Sequence, residues 1–158
     1  MRDLIRSRTP PGPKHFKKYP GSALLCPNLE ETLYSTTVWE HIRDPQNRGV
    51  LASPDGVGES KFPKCGDHLI VQLQLEAGAI RDVRFLAKAC APVVAVASLA
   101  TTQIIGKSVE EARQLSLIRL DKDIGSLPGP KRHALWMFLE ALFLALDQAT
   151  NQNQELEN

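Results

Sequence analysis

The residues of this 158-residue chain best suited to chemistry are its three cysteines, Cys26, Cys65 and Cys90. An odd count without dense spacing is no disulfide framework. It fits a reducing compartment, where thiols serve as core fillers, nucleophiles or ligands. In Lys64-Cys65-Gly66-Asp67 a thiol and a carboxylate stand two residues apart, on one side of an extended chain. Gly66 between them lets the backbone bend close to an ion. A soft sulfur with a hard oxygen can hold zinc or iron; read structurally, the same residues are a turn feeding a strand. Cys90 precedes an apolar stretch with Pro92 in its first turn. A helix start there supplies orphan N–H groups and a positive end, both of which favour a thiolate. Packing in the core is the simpler role for the same residue. His133 falls in the first turn of the last expected helix, where an imidazole either ligates metal or meets water. His68 follows Asp67 but alternates to the opposite face, and His15 and His41 have less to mark them. Cys65, Asp67, Cys90 and His133 thus form a candidate metal set. Two thiolates, a carboxylate and an imidazole suit tetrahedral zinc or a two-iron cluster of mixed ligation. No CxxC pair adds to it.

Periodicity predicts the elements that must position these residues. A short helix is expected over 30–42, ended by Asp44-Pro45 because the residue before proline avoids helical geometry. Asp55-Gly56-Val57-Gly58 reads as a turn. Leu69, Val71, Leu73 and Leu75 alternate with Ile70, Gln72 and Gln74, which predicts a half-buried strand. Ala77-Gly78 connects it tightly to a second strand through Ile80, Val83 and Phe85. Residues 91–105 are small and apolar, a buried helix opened by Pro92 and closed by Gly106. Ser108 and Glu111 are spaced as a capping box for a short helix. A loop with Gly125, Pro128, Gly129 and Pro130 follows. The last helix is expected from near Lys131, with Leu135, Leu139, Leu142 and Leu146 on one face and Phe138 beside them. Strands early and helices late predict an α+β fold, a small antiparallel sheet packed on helices.

The ends differ from this middle. Residues 1–29 carry six basic side chains (Arg2, Arg6, Arg8, Lys14, Lys17, Lys18) against Asp3, and five prolines, among them Pro10, Pro11, Pro13 and Pro20. They read as a basic, unstructured arm; scarce acids would suit a mitochondrial import signal, but the prolines spoil an amphipathic helix. Residues 149–158 are mostly Asn, Gln and Glu and read as a frayed tail, leaving 30–148 as the domain. A net charge of +1 gives no strong pull toward nucleic acid or membrane. No apolar run approaches a membrane span, so a cytoplasmic protein is expected.

Several of these segments, in order over residues 36–147, resemble the IscU-type iron–sulfur scaffold proteins, also found as the N-terminal domain of NifU. Asp44-Pro45-Gln46-Asn47-Arg48-Gly49 looks like the family's asparagine-proline-arginine-asparagine-x-glycine segment, and Cys65-Gly66-Asp67 matches its cysteine-glycine-aspartate motif. Ile80 to Phe85 matches its next strand, Cys90 its second cysteine, Gly106-Lys107-Ser108 the end of its following helix, and His133 its histidine. Leu127, Pro128, Gly129, Pro130 and Lys131 resemble the leucine-proline-proline-valine-lysine segment that a dedicated Hsp70-type chaperone recognises. The resemblance implies a SufE/NifU-like sheet of about three strands. It implies a scaffold or carrier that receives iron or a [2Fe-2S] cluster and passes it on. Its partners would be a cysteine desulfurase, the chaperone with its co-chaperone, and acceptor apoproteins. Cys65 and Cys90 would hold the cluster and Asp67 keep it labile.

One departure stands out: the family has a third cysteine directly after the histidine, and here that residue is Ala134. Alanine neither ligates a cluster nor accepts sulfur. Two further readings follow from it. One is a divergent paralogue, with structural zinc or no metal, that docks on the assembly machinery without assembling clusters. The other is a zinc-dependent sulfur acceptor for a desulfurase, although relatives of that kind keep the third cysteine. A surrogate ligand from Cys26 in the arm would pay an ordering entropy.

Overall fold

A computed structural model describes residues 33–156; the basic arm and Cys26 lie outside the described residues. Helix α1 spans Thr36–Arg43, and Ser35 caps it by accepting from the Val38 N–H. Residues 30–32 of the helix expected over 30–42 lie outside the described residues, and Ser35 offers the cap for the part that starts at Thr36. The chain then forms three strands, β1 (Gly56–Phe62), β2 (Asp67–Glu76) and β3 (Ala79–Lys88), in one antiparallel sheet of order β1-β2-β3. Helices α2 (Ala91–Ile104), α3 (Val109–Arg113) and α4 (Leu117–Ile124) follow, then a 3₁₀ turn at Gly129–Lys131 and the long α5 (His133–Leu156).

The alternation in β2 and β3 is realised as read. Leu69, Val71, Leu73, Ile80, Val83 and Phe85 are fully buried. The odd step from Ile80 to Val83 is absorbed by a register shift between Gln74 and Leu75. Ala77 and Gly78 both have positive φ, the conformation that a two-residue hairpin turn needs. Pro92 sits in the first turn of α2, and Ser108 with Glu111 makes both bonds of the capping box. On α5, Leu135, Leu139, Leu142, Leu146 and Phe138 all face the core.

Four expectations are corrected. Gly56 to Gly58 is not a turn but the start of β1. Those glycines are there for contact: a Cβ at Gly58 would lie 1.7 Å from the Ala141 carbonyl oxygen, and one at Gly56 1.9 Å from that of Ala145. The strand therefore runs against the α5 backbone, which punctuation signals could not reveal. The region before Gly125 contains α4, whose Ser116 cap and left-handed Gly125 define its ends. Its outer residues Leu117 and Ile118 are exposed, which blurs the apolar period. The 3₁₀ turn takes Gly129–Lys131, so α5 starts at His133 and not near Lys131. Finally, α5 continues past residue 148 to Leu156; Ala149 is fully buried, and a Cβ at Gly56 would come within 2.9 Å of its methyl.

Candidate metal centre

Three structural joints bring the candidate residues together. The β1–β2 hairpin loop carries Cys65, whose N–H donates to the Phe62 carbonyl at 3.2 Å, and Gly66 closes the loop at φ +67°. Asp67 opens β2 directly opposite Phe62. Cys90 is the N-cap residue of α2, and His133 the first residue of α5. A strand end and two helix starts thus meet at one place.

There one ligand atom from each of Cys65, Asp67 and His133 lies within 4.8 Å of the others. Cys90 Sγ stands beside them, 3.7 Å from His133 Nε2. Asp67 is buried and occupied at both oxygens: Oδ1 accepts from the Cys90 N–H at 2.9 Å, and Oδ2 faces His133 Nε2 at 2.8 Å. The other ring nitrogen of His133, Nδ1, meets the Pro130 carbonyl at 3.1 Å. Both nitrogens therefore face oxygen atoms, and the contact between Nε2 and Asp67 Oδ2 fixes the two side chains against each other. His133 is buried, so the surface alternative for it does not hold.

Cys65 is exposed and Cys90 half-buried. The expectation of a favoured thiolate at Cys90 fails in this geometry. Burial, reinforced by the Asp67 carboxylate, pushes its thiol up to about 11, and the Val93 N–H and Lys131 only partly oppose this. With a helix start on one side and a carboxylate on the other, desolvation wins. Alkylation in the absence of metal should show it. A rise from 9.0 to about 11 leaves roughly a hundredfold less thiolate at pH 8. Higher intrinsic nucleophilicity returns about half of that in logarithmic terms. Cys90 should therefore react about tenfold more slowly than a small reference thiol of ordinary pKa, as read by peptide mapping over time, and should speed up as pH rises toward 11. Equal rates would contradict the burial described here.

A groove of about 850 Å³ opens over Cys65, Asp67 and Cys90, with Ile42, Arg48 and Lys131 on its walls. On the other side of His133, Phe62 stacks on the imidazole at 4.4 Å and 17°, and Trp136 stands edge-on to Phe62 at 5.5 Å. Neither aromatic residue was singled out from sequence. Nor were Ser98 and Thr101, two buried polar residues of α2. Ser98 Oγ accepts from the Gln46 N–H at 2.7 Å and donates to His41 Nδ1 at 2.7 Å. Thr101 Oγ1 accepts from Asn47 Nδ2 at 3.2 Å. Burial holds the His41 pKa below its ordinary value, which suits this accepting role. The segment 44–49, pinned also to Phe85 through the Asn47 carbonyl and Gly49 N–H, forms a fixed wall beside the site. His68 pairs with Glu59, away from Asp67. In the stretch 127–131, Leu127 is buried and Gly129 and Pro130 are exposed. Ala134, next to His133, has no exposed surface at all.

Residues 33–155 match the family described as NifU-like N terminal domain. The chain is 30% identical over 125 residues to the iron-sulfur cluster assembly scaffold protein IscU 1 of Archaeoglobus fulgidus, covering 79% of this chain and 82% of that protein. It is 34% identical to the scaffold protein IscU of Rickettsia prowazekii, over 79% of this chain and 95% of the relative. Among solved structures, a Fervidobacterium islandicum chain assigned to the cluster assembly scaffolds of the SUF system superposes with a TM-score of 0.60 at 21% identity. That match covers 73% of this chain and 98% of the other. A NifU-like N-terminal protein from Brucella abortus gives 0.52 at 24% identity, over 81% and 96%. These two likenesses show a shared fold.

Proposed function

Because the chain belongs to the family of NifU-like N-terminal domains, we propose that it is a scaffold or carrier for iron–sulfur cluster assembly, and not a catalyst. Its cargo, iron or a [2Fe-2S] cluster, is held by Cys65, Asp67, Cys90 and His133. The observation that carries this reading is the convergence of Cys65, Asp67 and His133 within 4.8 Å, with Cys90 Sγ alongside. Two soft sulfurs, an imidazole and a carboxylate fit iron, and they fit zinc as well. Lys131 favours the Cys90 thiolate that ligation requires. Each thiol gives up its proton as it ligates. Ala134 leaves the site two thiolates of its own, so the cargo is held less firmly than three would hold it.

The partners in this reading are those that load and unload such a cargo: a cysteine desulfurase as sulfur source, an Hsp70-type chaperone with its co-chaperone, and acceptor apoproteins. The chaperone would take the 127–131 segment. Gly129 and Pro130 are accessible, but Leu127 must leave the core before an extended chain can be gripped. No helix among the described residues is long and apolar enough to cross a membrane.

The test is anaerobic purification followed by iron and acid-labile sulfide analysis. Iron and sulfide in equal amounts support a cluster carrier; zinc alone, or no metal after reconstitution, overturns it. A second expectation concerns Asp67. Its carboxylate is the hardest and weakest partner for a sulfur-bridged cluster, and its removal should slow release. Reconstituted Asp67→Ala is expected to hand its cluster to an acceptor several-fold more slowly than wild type. Transfer at the wild-type rate or faster would remove Asp67 from this role.

A further inference from the structure

Resting on the ligand set proposed above, we infer that Phe62 is a positioning residue for His133: its ring fixes the imidazole plane so that Nε2 meets the cargo. The argument is geometric. Phe62 ends β1 opposite Asp67, so both side chains leave the same face of one hairpin. The Phe62 ring lies 4.4 Å from the imidazole and nearly parallel to it. The Phe62 carbonyl also accepts the N–H of Cys65, which ties the thiol-bearing loop to the same residue. Pro130 and Asp67 constrain the imidazole only within its plane, at Nδ1 and Nε2. Phe62 supplies the constraint perpendicular to it. Trp136, one turn after His133 on α5, closes on the edge of Phe62 and keeps that ring from turning away. A stack of this kind matters more where a position beside the histidine offers no third thiolate, as with Ala134, because each remaining ligand must be held in place without help.

The experiment uses the full chain as Phe62→Leu, close in volume and without a ring, and as Phe62→Tyr, which keeps the stack. Two quantities are read: Co²⁺ affinity from its absorption bands, and the NMR signals of the His133 ring in the metal-free protein. Outer-shell residues of metal sites carry about 10- to 100-fold in affinity. Phe62→Leu is expected to bind Co²⁺ about tenfold more weakly and to lose the upfield ring-current shift of the His133 protons; Phe62→Tyr should keep both. Wild-type affinity in Phe62→Leu overturns the inference, and so does weakened binding with His133 signals unmoved, which marks a structural role only. If wild type takes up no Co²⁺, the ligand set itself falls. The ring signals then still decide the positioning: unmoved in Phe62→Leu, they overturn it.

Discussion

Anaerobically purified Cys90→Ala is expected to carry no iron and no acid-labile sulfide, and Cys65→Ala should behave alike. Residues that only orient metal ligands are worth about 10- to 100-fold in affinity, so removing a ligand should cost more than about a hundredfold. The chain has little reserve against such a loss. Ala134 supplies no donor, and Asp67 and His133 offer only an oxygen and a nitrogen. Folding does not confuse the result. Cys65 is exposed, so its truncation disturbs no core, and Cys90 is half-buried at a helix start, where alanine fits the backbone. Circular dichroism should therefore match wild type while metal analysis does not. The two variants also separate the roles of the joints they sit on. Cys65 belongs to a hairpin loop and Cys90 to a helix cap, so equal losses mean that the cargo bridges sheet and helix layer. Wild-type iron in both variants would sink the ligand set.

Local chemistry made much of this legible in the sequence. Leu69, Val71 and Leu73 declared a face by alternation, Ser108 and Glu111 a helix start by their spacing, and Ala77-Gly78 a turn by conformational tolerance. Cys65, Asp67, Cys90 and His133 could be put forward as candidates because each stands beside a turn or a helix start and because their order resembles that of the scaffold family; their spacing alone does not single them out. What stayed hidden depends on contacts between residues far apart in the chain. Gly56 and Gly58 resemble turn residues until α5 is laid across them. Phe62 carries no signal of its own in the sequence, and only the fold stacks it on His133, which comes 71 positions later in the chain. The Cys90 thiol was misjudged for the same reason. Its helix start is visible in sequence, whereas the burial and the Asp67 carboxylate that outweigh it belong to the fold. Ser98 and Thr101 look like ordinary helix residues, and only the packed structure shows them holding the 44–49 segment.

The packing of β1 on α5 makes a second strong prediction, about stability. Gly58→Ala would place a methyl carbon 1.7 Å from the Ala141 carbonyl oxygen and 2.7 Å from the Ala145 nitrogen. Both obstacles are backbone atoms of one helix, so no side chain can swing aside. Either the strand or the helix must shift. Overpacking of this kind costs about 1–3 kcal/mol and occasionally more, and here the high end is expected because two main chains are in contact. For a domain of this size, about 3 kcal/mol corresponds to a melting temperature lower by about 10 °C. Gly129→Ala is the control: its Cβ would meet nothing within 4 Å, and its backbone does not lie in the left-handed region, so its melting point should stay within about 2 °C of wild type. A Gly58→Ala protein that melts with the control would mean that helix and strand do not approach this closely. The consequence would reach the metal centre. Phe62 lies four residues further along β1 and His133 begins the same helix, so the separation of these two elements sets how the aromatic ring meets the imidazole. Gly58→Ala should therefore also weaken Co²⁺ binding at temperatures where the protein is still folded, although residue 58 touches no ligand.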